Sequence, residues 1–86
     1  MSRRRLGPIP ARSLVQPRSP QWLWDACCRG QEPAEALDAR DREDLVAQLL
    51  ECGWTLPEIA EHTRMTAYTT ARIAGRLQIE TSGAAA

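Results

Sequence analysis

Three amphipathic segments separated by two breaks run from Asp41 to Leu77, and this pattern limits the fold more than any other feature of the chain. In "DREDLVAQLLECGW", Leu45, Val46, Leu49 and Leu50 share one helical face and Gly53 supplies a stop, which predicts an amphipathic helix of about twelve residues. Trp54, directly after the stop, reads as core between this helix and the next. Thr55 and Glu58 then form T-x-x-E, a capping box, with Pro57 in the first turn, where its missing N–H costs little. Ile59, Ala60 and Thr63 face inward in a helix of about two turns. A break over 63 to 65 leads to Thr66, a cap for a last helix whose Thr70, Ile73, Ala74 and Leu77 recur at i, i+3, i+4 and i+7. Opposite that stripe lie Tyr68, Arg72 and Gly75, flanked by Thr69, Ala71 and Arg76.

Upstream, "SPQWLWDACCRG" offers Ser19 as an N-cap, Pro20 at the first helical position and Gly30 as the end, so a helix is expected from about 20 to 29. Trp22, Leu23, Ala26 and Cys27 make one apolar stripe, and Trp24 points the other way. Both tryptophans cannot face one core, so one packs while the other meets a partner or a second copy; Trp22 and Trp24 are the candidate partner-interface residues. "QEPAEALDARD" is a connector, with Asp38 or Asp41 capping the next helix. The prolines at 8, 10 and 17 leave no hydrophobic period in the first eighteen residues, which predicts a flexible basic arm over 1–18. The organisation expected is this arm, an N-terminal helix and connector over 19–40, a helical domain over 41–79 and a disordered tail over 80–86. A unit of about forty residues is marginal alone, so the segment bearing the tryptophans either packs on it or mediates a homodimer.

Charge is balanced overall, with eleven basic and eleven acidic residues, but it is segregated. Residues 1 to 20 carry five Arg and no acid, residues 21 to 61 three Arg and ten acids, and residues 62 to 86 three Arg and one acid. Local charge sets the field a polyanion meets, so neutrality does not exclude one. The acidic middle is a surface for a basic protein partner or for the arm itself. Cys27, Cys28 and Cys52 are odd in number and follow no framework spacing, which indicates a reducing compartment. With His62 they lack any metal-ligand spacing, so no metal or other cofactor is expected. "WLWDACCRG" is faintly similar to the opening of WhiB-like iron–sulfur proteins, but the later C-x-x-C ligands of that pattern are missing. "MSRRRLGPIP" is followed by no apolar run, so neither a signal peptide nor a membrane span is expected, and the chain reads as cytoplasmic. One His, no Lys and no Gly-rich phosphate loop give no support to an enzyme.

A long helix, a two-turn helix, a tight break and a helix with a polar far side is the layout of a helix-turn-helix. The expected fold is therefore all-α: a trihelical, homeodomain-like helix-turn-helix core with an additional N-terminal helix and a basic arm. "GWTLPEIAEHTRMTAYTTARIAGRL" resembles the helix-turn-helix of sigma-factor region 4 and of LuxR-type regulators, and is similar to small helix-turn-helix proteins of high-GC actinobacteria. The resemblance spans about residues 41 to 78. It implies sequence-specific binding of double-stranded DNA by a transcriptional regulator or mobile-element accessory factor, with helix 66–78 in the major groove; the alternative is a protein-interaction module on the same core. Two positions depart from the family pattern: Arg64 stands where Gly is common, and Thr70 replaces Val. By helical geometry Tyr68 and Arg72 are the candidates for base edges, since an Arg pairs in bidentate fashion with guanine. Thr55, Arg64, Thr66, Thr69 and Arg76 suit phosphates, and Arg3, Arg4 and Arg5 suit the backbone or a minor groove. His62 is expected at the surface near the turn.

Overall fold

The structure, a computed structural model, describes the backbone of residues 9 to 14 and 16 to 85, and the side chains of those residues up to Leu77. Among the described residues the chain is all-helical. It comprises α1 (Gln21–Cys28), a 3₁₀ turn (Ala34–Ala36), α2 (Ala39–Glu51), α3 (Leu56–Thr63) and α4 (Ala67–Ala85), with no strand. No helix among them is long and apolar enough to cross a membrane.

The helix boundaries follow from local chemistry. Asp38 caps α2 by accepting from the Arg40 amide at 3.0 Å, while Asp41, the other candidate, is drawn into the interior. Beyond α2, Gly53 takes a φ of 88°, a left-handed conformation that a residue without Cβ adopts at little cost. The α3 capping box forms as the sequence indicates: the Thr55 amide donates to Glu58 Oε1 at 2.8 Å and the Glu58 amide to Thr55 Oγ1 at 3.4 Å. The Thr69 amide donates to Thr66 Oγ1 at 3.0 Å, which ties down a free N–H in the first turn of α4. That helix continues to Ala85, past the expected end near residue 78 and through most of the segment read as a disordered tail. Nothing in "QIETS" stops it, because the run lacks Gly and Pro and its Gln and Glu are good helix formers.

Helix α4 packs against α2 and α3 over a core of Leu45, Val46, Leu49, Ile59, Met65 and Ile73, with Leu50 and Leu77 at its margin. Trp54 is buried, as expected from its place after the Gly53 stop. Thr63 and Thr70 are also fully buried, and each hydroxyl donates to the carbonyl four residues back, Ile59 at 2.6 Å and Thr66 at 2.9 Å. Thr70 is therefore accommodated in the core with its polar atom satisfied.

Two expectations for the N-terminal third are corrected. The inward stripe of α1 is Trp24, Cys27 and Cys28, all fully buried, whereas Trp22 is 66% exposed. Trp24 is therefore core and not a partner-interface residue. The partner that decides its orientation is the segment before α1: Trp24 Nε1 donates to the Pro10 carbonyl at 2.9 Å, and Ile9 packs against the same core. Ser19, the expected cap of α1, instead accepts from the Asp38 amide at 2.8 Å, and α1 begins after Pro20 without a side-chain cap.

The second correction concerns the arm. Residues 9 to 14 and 16 to 18 are not a free extension, because two buried carboxylates of α2 hold them. Asp44 accepts from the Ser13 amide at 2.8 Å and from its hydroxyl at 2.5 Å; Asp41 accepts from the amides of Arg18 at 3.2 Å and Ser19 at 2.6 Å. The Arg12 guanidinium lies 3.6 Å from Asp41 and 5.8 Å from the centre of the Trp24 ring, and donates to the Ser19 carbonyl and Gln21 Oε1. Hydrogen bonds to a charged acceptor contribute about 1.5–3 kcal/mol each, so this clasp offsets the lack of regular structure in the segment.

Candidate nucleic-acid interface

The candidate site is built on the turn between α3 and α4. Arg64 takes a left-handed conformation, φ 57° and ψ 30°, and is the one non-glycine residue with positive φ among those described. Around it the Met65 amide donates to the Ala60 carbonyl at 3.1 Å and the Arg64 amide to Glu61 at 3.4 Å, which is the bonding pattern of a Schellman cap. Met65 then drops into the core, 6% exposed, and fixes the direction in which α4 leaves. Arg thus occupies a position where the resemblance favours Gly, and the cap forms despite its Cβ. The Arg64 Nη2 donates to the Gly30 carbonyl at 3.1 Å, so the guanidinium is held over the end of α1.

With Thr70 and Ile73 buried beneath α4, its opposite side faces solvent. Tyr68 is 71% exposed and Arg72 is exposed one turn later, its guanidinium 5.7 Å from the centre of the Tyr68 ring. This i, i+4 contact holds the cation along the helix face, and pairs of this kind contribute about 0.5–1 kcal/mol at exposed sites. A Cβ built on Gly75 meets nothing within 4 Å, so neither the core nor a neighbouring helix requires glycine there.

The positions expected at phosphates are less uniform. Thr66 and Thr69 lie together at the start of α4, with Thr66 Oγ1 donating to Thr69 Oγ1 at 2.9 Å. Thr55 is exposed at the start of α3, with its hydroxyl oxygen committed to the cap. Arg76 forms an ion pair with Glu43 of α2 at 3.1 Å, and its side chain is 59% exposed. Such a pair is worth about 0–1 kcal/mol, so it holds Arg76 only loosely. Arg3, Arg4 and Arg5 lie outside the described residues.

His62 is half-buried and not simply a surface residue. Its ring meets Trp54 edge to face at 4.9 Å between centroids, and its Nε2 lies 2.6 Å from the Cys28 carbonyl. A carbonyl only accepts, so Nε2 carries the proton in this contact. A Cβ on Gly30 would come within 3.2 Å of the same ring, which with a φ of +75° accounts for glycine at that position. His62 and Arg64 together fasten the end of α1 to the α3–α4 turn. A lone polar residue next to a break gives no sequence signal for such a role.

The cysteines are free thiols. Burial, reinforced by Asp25, Cys27 and Asp44, pushes the Cys28 thiol up to about 12, and Cys27 is raised by burial and then by Glu32. Both are therefore neutral apolar fillers at physiological pH. Among the described residues no group of His, Cys, Asp and Glu is arranged to hold a metal ion.

No family model matches the chain, and no curated protein or solved structure is significantly similar to it.

Proposed function

We propose that the chain is a helix-turn-helix protein that binds double-stranded DNA in a sequence-specific manner, as a transcriptional regulator or an accessory factor of a mobile element. On this reading α2, α3 and α4 are the trihelical core, as in sigma-factor region 4 and LuxR-type regulators, and α4 is the recognition helix. The observation that carries it is the solvent face of α4, where the exposed Tyr68 and Arg72 stand opposite the buried Thr70 and Ile73. A helix anchored along one side, with an aromatic hydroxyl and a guanidinium on the other, is suited to base edges in a major groove. Gly75 leaves that face low and open to close approach by a duplex.

Roles follow from reach and mobility. Tyr68 and Arg72 read bases. Arg64, Thr66 and Thr69, gathered at the turn and the first turn of α4, bind phosphate and set register. Arg76 exchanges the Glu43 carboxylate for a phosphate, a small loss given how exposed the pair is. The test is fluorescence anisotropy of the full chain with random-sequence duplex DNA at about 50 and 200 mM salt, a range over which phosphate contacts lose affinity steeply. Binding that weakens with salt supports the reading. Absence of binding at the lower salt overturns it and favours a protein-interaction module.

A further inference from the structure

Two large apolar side chains are exposed among the described residues, Tyr68 and Trp22. DNA reading uses the first and leaves the second unexplained. Trp22 lies in a shallow surface groove lined by Asp25, Ala26, Arg29, Gln31 and Glu32. Trp22, Asp25, Ala26 and Arg29 are spaced by three, four and seven positions from the first, which makes them a single stripe along the outer face of α1. The inner face of α1 is occupied by Trp24, Cys27 and Cys28.

We propose that this stripe is a self-association face that takes a second copy of the chain, with the two α1 helices packed antiparallel about a two-fold axis between Asp25 and Ala26. The stripe is self-complementary in that arrangement and in no parallel one. Antiparallel pairing places Trp22 of each copy opposite Arg29 of the other, once at each end, and sets Asp25 against the small Ala26 at the crossing, where the helices approach most closely. Arg29 then lies between the partner's Trp22 and the partner's Asp25. Its side chain is exposed and makes no ion pair or hydrogen bond with another described residue, and the Asp25 carboxylate accepts from Gln21 Nε2 at 2.9 Å, on the neighbouring turn. A parallel pair would instead set Trp22 against Trp22 and Arg29 against Arg29, leaving the cations in repulsion.

The chain already contains this three-part arrangement internally. Arg12 lies over the ring of Trp24, on the inner side of α1, at 5.8 Å, and 3.6 Å from Asp41 of α2. A guanidinium stacked on indole and tethered to a carboxylate is a stable combination for Arg, whose planar, weakly hydrated head suits both contacts. A stripe on an eight-residue helix buries less than the roughly 1,200 Å² of a standard interface, so the association is weak, with a dissociation constant of roughly 10 µM to 1 mM. The proposal does not depend on DNA binding.

Sedimentation equilibrium of the full chain without DNA, from about 10 µM to 1 mM, tests it over the range just given. A monomer–dimer equilibrium is expected, and Trp22→Ala should raise its dissociation constant roughly tenfold or more, as for a central aromatic anchor. Asp25→Arg and Arg29→Asp should each be monomeric alone, since like charges then face each other, and should form a heterodimer when mixed. That rescue also establishes that both variants fold. A single-chain mass throughout the range overturns the proposal, as does a dimer unchanged by Trp22→Ala or a failure of the mixed variants to associate.

Discussion

The left-handed Arg64 is the most exacting feature of the α3–α4 turn, and it makes a sharp prediction. A residue with a Cβ loses roughly 1–2 kcal/mol in this conformation, because Cβ crowds the following carbonyl, whereas glycine loses none of that. Glycine gives back about 0.4–1 kcal/mol through the greater freedom of its unfolded chain. Arg64→Gly and Arg64→Ala both remove the exposed hydrogen bond from Nη2 to the Gly30 carbonyl at 3.1 Å, so that loss cancels between them. The difference isolates the backbone: with φ at 57° the glycine variant should be more stable than the alanine variant by about 1 kcal/mol. For a domain of this size that corresponds to about 4–8 °C in Tm. Thermal melts and urea titrations followed by circular dichroism and tryptophan fluorescence measure it directly. Equal stability of the two variants, or a more stable alanine variant, would refute a left-handed turn at this position and with it the direction in which α4 leaves. Under the proposed function both variants lose affinity for all duplexes about equally, since a phosphate contact carries no sequence information.

Four further outcomes follow from the same geometry. Gly75→Ala adds a methyl group that meets nothing within 4 Å and should stabilise α4 by about 0.5–1 kcal/mol, read as a rise in Tm; docking of this face on DNA adds a loss of duplex affinity in the same variant. Asp41→Ala strips the Arg18 and Ser19 amides of their acceptor and leaves Arg12 without its ion pair, for a loss of about 1–3 kcal/mol, with faster hydrogen exchange at those two amides as the specific signature. In the folded chain at pH 8 a thiol reagent should label the exposed Cys52 and spare Cys27 and Cys28, by mass spectrometry of proteolytic fragments. Because the folded Cys28 keeps its proton up to about pH 12 while an unfolded thiol releases it near pH 9, stability should fall as pH rises through that window.

The helical core was legible because its determinants are local. A capping box, a glycine stop and apolar spacing of three and four need only a few neighbouring residues to be read, and α2, α3 and the start of α4 follow them. The solvent exposure of Tyr68 and Arg72 follows from the same periodicity. What escaped was set by contacts distant in sequence. Which tryptophan of "WLW" turns inward depends on the Pro10 carbonyl, fourteen residues before Trp24, and the fastening of the arm depends on Asp41 and Asp44, more than twenty residues after it. Those two acids share the side of α2 that carries Leu45, a placement visible in the spacing but masked by an acidic composition that reads as solvated surface. His62 and Arg64 likewise bond to carbonyls 34 residues away, and a backbone acceptor has no residue identity to read.

The proposed reading of DNA sequence by α4 through Tyr68 and Arg72 is tested most directly by selecting bound duplexes from a randomised pool with the full chain and with Arg72→Ala, then sequencing both sets. An enriched motif is expected for the unmodified chain, with one base position, a guanine contacted by the guanidinium, relaxed in the variant at a loss of about 1–3 kcal/mol on the best site. No enriched motif, or the same motif at the same affinity from both proteins, would contradict it.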